Sequence, residues 1–159
     1  MGKDFNALAR KVKENMKEHS TVLISGNIGS EKSELLSLLE KNISQTEKTV
    51  GKLGDTCPEM QQSSVKRVDA EALGQYILRY VTCGKCNSWE DELAPYECII
   101  IDDFDKLRER TATQETLLSY LCKREKRLVA VSKEAIEGKG YIDEIVEYFR
   151  GGVRISLTR

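Results

Sequence analysis

The sequence predicts an α/β fold of three layers, a five-stranded parallel sheet between two sets of helices. Three observations carry this. Short apolar, β-branched runs alternate along the chain with stretches of helical periodicity, the pattern of parallel strands joined by helical crossovers. One run, "ECIIIDD", is apolar at four successive positions, as a strand buried on both faces must be. Another, "TVLIS", leads straight into a glycine-containing turn, "GNIGSEKS", and a second helix.

Taken in order, residues 4–18 set Phe5, Leu8, Ala9, Val12 and Met16 at helical spacing among lysines and glutamates, which gives an amphipathic helix. Residues 21–25 form the first strand. Residues 33–43 form a helix with Leu35, Leu36, Leu38 and Leu39 inward. The polar segment 44–64 is a loop. "VKRV" (65–68) is a short strand. Residues 69–82 form a helix with Asp69 as its N-cap and Leu73, Ile77 and Val81 on one face. Residues 83–96 are an irregular insert. The strand 97–103 is the strongest in the chain. A helix over 111–125 presents Leu117, Leu118 and Leu121, and a buried strand spans 127–132. A helix over 141–152 ends at paired glycines, and an alternating strand closes at 153–157.

The chain has 159 residues, 40% of them apolar and 32% charged, the size and balance of one domain with its own core. Its net charge of −1 gives no overall basic field for nucleic acid. No apolar run approaches the roughly 20 residues of a membrane span, and the N-terminus has no apolar signal region. A cytoplasmic protein with free thiols is expected, with Cys98 and Cys122 as buried small hydrophobes.

In a parallel sheet, ligands sit at the carboxyl ends of the strands, and two motifs fall there. "GNIGSEKS" (26–33) is a phosphate-binding loop, GxxxxGK(S/T), with one change. Gly26, Lys32 and Ser33 are in place, and Glu31 stands where the last glycine belongs. Between a strand and a helix, the backbone N–H groups of Gly26, Asn27, Ile28, Gly29, Ser30, Glu31 and Lys32 face an anion. Lys32 adds a charge for the terminal phosphates, and Ser33 a hydroxyl for Mg²⁺. The second motif is "IIIDD". Its strand is expected beside the phosphate-loop strand, with Asp102 on Mg²⁺ and Asp103 orienting the attacking water. Either motif alone is weak; a glycine turn before a helix and a solvated strand end are common. Their order and flanking elements together specify a P-loop nucleotide site.

Other features have simpler readings. Cys83-Gly-Lys-Cys86 has the spacing of half a zinc site, with only Cys57 and His19 left as further ligands outside regular elements; two thiols in a turn is the plainer account. Trp89 reads as a loop staple. The basic run "KREKR" (123–127) reads as a solvated helix end, where positive residues suit the dipole.

The motifs resemble those of the AAA+ ATPase domain of the bacterial replication initiator DnaA and its helicase-loader relatives. The resemblance covers nearly the whole chain. "FNALARKVKENMKEHSTVLISGNIGSEKSELLSLL" is similar to the family's first helix, strand and loop. "CIIIDDFDKLRERTATQETLLSYL" carries a hydrophobic-DD strand, a polar turn and a Gln-Glu helix. "RLVAVS" looks like the sensor 1 strand, and "VEYFRGGVRISL" like the arginine-finger helix and closing strand. The resemblance implies an AAA+ core that binds ATP or ADP with Mg²⁺, a protein partner in DNA replication, and catalytic roles for Asp103 and Ser132; the net charge of −1 and the lack of the family's DNA-binding helices lead us to expect direct DNA binding that is weak or absent. Departures accompany it. Besides Glu31, Ser132–Lys133 replaces a Ser-Asp or Ser-Asn pair. Tyr148 precedes Phe149 where the finger arginine stands, with Arg150 one position away. The sequence ends at Arg159, before a lid or a helix-turn-helix domain. Slow or absent hydrolysis is expected, or a non-enzymatic adaptor on the same fold.

Overall fold

The computed structural model describes residues 5–16, 18–26, 32–44, 65–83, 88–133, 136 and 140–156. The strands are β1 (Thr21–Ser25), β2 (Val65–Asp69), β3 (Cys98–Asp102), β4 (Arg127–Ser132) and β5 (Val153–Ser156). The helices are α1 (Phe5–Asn15), α2 (Lys32–Ser44), α3 (Ala70–Cys83), α4 (Ser88–Leu93), α5 (Thr111–Arg124) and α6 (Asp143–Arg150), with a 3₁₀ turn at Phe104–Leu107. All strand pairs are parallel, in the order β2-β3-β4-β1-β5.

Burial explains the order. β1, β3 and β4 are buried along nearly all their length, whereas β2 and β5 alternate. Continuous apolar runs therefore occupy the middle of the sheet, and charged residues such as Lys66, Arg67 and Arg154 lie on the two edge strands, where one side of each strand faces away from the sheet. Successive side chains point to opposite faces, so the sheet feeds two cores. On one face Val22, Ile24, Ile100, Val129 and Val131 pack against Phe5, Ala9 and Val12 of α1 and Leu35, Leu36 and Leu39 of α2. On the other, Leu23, Ile99, Ile101, Leu128 and Ala130 meet α3, α5 and α6 through Leu73, Ile77, Leu117, Leu121 and Phe149. Leu38 and Leu118 are only partly buried, at the margins of these cores.

The structure departs from the sequence reading at four places. β4 lies between β1 and β3, so the acidic strand is one strand removed from the phosphate-loop strand. The insert contains the short helix α4. Cys122 is exposed, because the inward stripe of α5 is taken by Leu117, Tyr120 and Leu121. Lys126, in the supposedly solvated basic run, is buried; its ammonium donates to the carbonyls of Leu93 (3.3 Å), Ala94 (2.8 Å) and Tyr96 (2.6 Å). It closes the end of α4, where carbonyls lack helical donors.

One glycine and one glutamine hold the connections. Gly152 follows α6 because its backbone runs against Thr21; a Cβ there would collide with the Thr21 carbonyl. Gln114 is fully buried on α5. Its amide donates to the carbonyls of Leu107 and Gly140, both at 2.8 Å, and accepts the N–H of Ile142 at 2.8 Å. The turn after β3 and the segment before α6 are thus tied to one side chain. Phe104 and Phe149 add an edge-on ring contact at 5.3 Å. Among the described residues, no helix is long and apolar enough to cross a membrane.

Candidate functional site

The carboxyl ends of four strands converge. Ser25 of β1 is in register with Ser132 of β4, and Asp69 of β2 with Asp102 of β3. Gly26 continues β1 at φ 139°, a conformation that only glycine adopts without strain, and its N–H donates to the Ser132 carbonyl at 3.0 Å. Lys32 then opens α2. Asn27, Ile28, Gly29, Ser30 and Glu31, between these two points, lie outside the described residues, as do Cys57, Cys86 and the side chains of Cys83 and Trp89. Ser33 is exposed on the first turn of α2.

The Lys32 ammonium reaches across to the acidic pair. It donates to Asp103 Oδ1 at 2.8 Å and lies 3.3 Å from Asp102 Oδ1. Asp103 sits in the left-handed region, φ 57° and ψ 46°, which a non-glycine residue occupies at some cost. The chain turns there from β3 directly into the 3₁₀ turn. Asp102 Oδ1 is shielded from solvent, and Lys32 faces it as an ion pair at 3.3 Å. Burial pushes the Asp102 carboxyl up from its ordinary range, Asp103 adds to the rise, and Lys32 opposes it. Burial pulls the Lys32 ammonium down, but its bond to Asp103 and the charges of both carboxylates outweigh that and hold it above the usual lysine value.

Two acids join that sequence reading had not placed in the site. Asp69 serves as the expected N-cap, its Oδ2 accepting the Ala72 N–H at 3.1 Å. Its carboxylate also clusters with those of Asp102 and Asp103, one oxygen from each lying within 4.8 Å of the others. No local pattern reveals this, because the β2–β3 register alone creates it. Asp105 Oδ1 accepts the Ser132 hydroxyl at 3.4 Å and the Lys133 N–H at 3.2 Å. Ser132 is buried at the end of β4, held to Asp105 by its hydroxyl and to Gly26 by its carbonyl. Arg150 ends α6 on the exposed surface and pairs with Glu147 at 2.7 Å.

Three clustered carboxylates suit a hard divalent cation such as Mg²⁺, which takes oxygen ligands. Asp102 brings a carboxylate with one oxygen shielded from solvent, and the donor set fits the metal that accompanies nucleotide phosphates.

No protein-family model matches this sequence, and no curated protein does. Solved structures do match in fold. AMPPCP-bound DnaA from Aquifex aeolicus aligns over 99% of this chain and 48% of its own, at 20% identity and TM-score 0.70. Domain III of DnaA from Thermotoga maritima aligns over 96% of this chain and 60% of its own, at 16% identity and TM-score 0.72. The DnaC helicase loader aligns over 99% of this chain and 93% of its own, at 12% identity and TM-score 0.66. The chain spans about half the length of the Aquifex initiator structure it matches. At these identities the likeness is one of fold: the chain has the α/β architecture of the initiator's AAA+ domain and of the helicase loaders.

Proposed function

We propose that this chain is a nucleotide-binding module that takes ATP or ADP with Mg²⁺ and acts through a protein partner in DNA replication, with hydrolysis slow or absent. One observation carries the reading: Lys32, at the mouth of the loop that follows Gly26, converges on Asp102 and Asp103 at the carboxyl edge of the sheet. An ammonium, a carboxylate pair and a strand-loop-helix junction are what binding a metal-bound phosphate chain requires. Two DnaA structures of this fold hold AMPPCP, one of them with single-stranded DNA.

In this reading the backbone from Gly26 to Glu31 cradles the phosphates, and Lys32 pairs with their terminal oxygens. Ser33 and Asp102 hold Mg²⁺, which when bound neutralises phosphate charge. Asp103 orients water, and Ser132 contacts the terminal phosphate from β4. Hydrolysis is slow because the groups that would drive it are engaged or altered. Arg150 is paired with Glu147, and Glu31 replaces a glycine. The same features favour the second reading, an adaptor that keeps the fold without turnover.

Titration of a fluorescent ATP analogue, with and without Mg²⁺, tests binding; no binding at millimolar nucleotide refutes the proposal. Steady-state phosphate release then separates a slow ATPase from an adaptor. Chromatography of the denatured protein identifies any nucleotide that copurifies.

A further inference from the structure

The carboxylate cluster has its own cation. Asp69, Asp102 and Asp103 bring three carboxylates together, and the Lys32 ammonium lies against Oδ1 of the latter two, at 3.3 and 2.8 Å. A divalent ion in this cluster needs carboxylate oxygens at roughly 2.0–2.6 Å. It would then sit within a few ångströms of an ammonium held by two of the same carboxylates, and two like charges at that separation repel strongly in a partly shielded site. The two cations therefore compete. The backbone does not let the acids move aside freely: Asp69 is fixed by its cap to Ala72, Asp102 by its register in the sheet, and Asp103 by the left-handed turn into the Phe104 core contact.

We propose that Lys32 is a resident counter-ion that keeps divalent metal off the Asp69–Asp102–Asp103 cluster until an anion draws the ammonium away. Phosphate is the anion on the nucleotide-site reading, and the proposal rests on that reading for the anion's identity alone. Metal by itself binds poorly; an anion that engages Lys32 uncovers the carboxylates, so anion and metal bind with strong positive coupling. The device makes the site selective for a metal–phosphate pair over free metal.

The test uses Mn²⁺ alone, with no nucleotide, and follows bound Mn²⁺ by the electron paramagnetic resonance signal of the free ion. Wild type is expected to bind only at millimolar Mn²⁺. Lys32→Met and Lys32→Gln, two neutral replacements of different polarity, are expected to bind at least about tenfold tighter. Lys32→Arg, which keeps the charge, should stay near wild type. Adding Asp102→Asn to Lys32→Met should cancel the gain. Sub-millimolar Mn²⁺ binding by the wild-type chain overturns the proposal, as do equal affinities in wild type and the neutral variants. A gain that survives Asp102→Asn also overturns it, because the metal then sits elsewhere. The measurement contains no nucleotide, so its failure and a failure of ATP-analogue binding are separate results.

Discussion

Lys32 and Asp103, 71 residues apart in sequence, are joined by a 2.8 Å hydrogen bond. The bond links the first turn of α2 to the left-handed residue after β3, and so ties the two motifs on which a nucleotide site depends. Replacing either residue leaves the other without this charge-assisted partner.

The first consequence concerns nucleotide affinity. Lys32→Ala removes a charge-assisted contact to phosphate, worth about 1.5–3 kcal/mol. Lys32 gives up its carboxylate contacts to make that one, which brings the expected loss toward the lower figure, roughly tenfold in Kd. Fluorescence anisotropy with a labelled ATP analogue measures it. Equal affinity in the variant and the parent would remove Lys32 from the site.

A second prediction concerns Lys126. Its ammonium is the shared donor to three carbonyls at the end of α4. Lys126→Met keeps the apolar stem and leaves those acceptors without it, at a cost of about 1.5–3 kcal/mol. Urea unfolding should show a lower midpoint for Lys126→Met and little change for the exposed neighbour Arg124→Met. An unchanged midpoint for Lys126→Met would mean that the carbonyls find water at no cost.

A third uses Cys98 and Cys122, the two cysteines whose side chains are described. Burial pushes the Cys98 thiol up to about 12, so at pH 8 almost none is thiolate, and the group is shielded as well. Cys122 is exposed on α5. Iodoacetamide at pH 8, followed by peptide mapping, should modify Cys122 in the folded protein and leave Cys98 unmodified until the chain unfolds. Native labelling of both at similar rates would contradict the packing of β3.

These cases show which parts of the fold were legible in the sequence. The five strands and their flanking helices were, because burial on both faces of a parallel sheet writes a continuous apolar run and an amphipathic helix writes a stripe. "IIID" and "LVAVS" could hardly be anything else. The place of β4 between β1 and β3 was not, since strand order depends on how crossovers pack and leaves no local pattern. Buried polar groups were also hidden. Gln114 and Lys126 look like solvent-facing residues in sequence; partners from distant segments make their burial tolerable. Asp102 and Asp103 stood out at the end of an apolar strand. Asp69 and Asp105 did not, because register and a tight turn bring them to the same edge.

The last prediction concerns Glu31, the residue just before Lys32, which replaces the glycine of the phosphate-loop pattern. Glycine there allows a backbone conformation that side chains disfavour and keeps Cβ away from the phosphates. Glutamate adds a negative charge beside an anionic ligand, and the site already holds the carboxylates of Asp69, Asp102 and Asp103 against the ammonium of Lys32. Glu31→Gly should therefore tighten ATP by several-fold, a gain of about 1 kcal/mol, through less repulsion and the wider backbone freedom of glycine. Turnover should stay slow in the same variant. An arginine supplied to the transferring phosphate is worth about 10³–10⁵ in rate, and Arg150, the residue nearest that role in sequence, is engaged by Glu147. Affinity and phosphate release measured side by side in the parent and Glu31→Gly check both halves. A variant that binds no better than the parent would show that Glu31 does not limit binding, and brisk hydrolysis by either protein would show that the site is a working ATPase without that arginine.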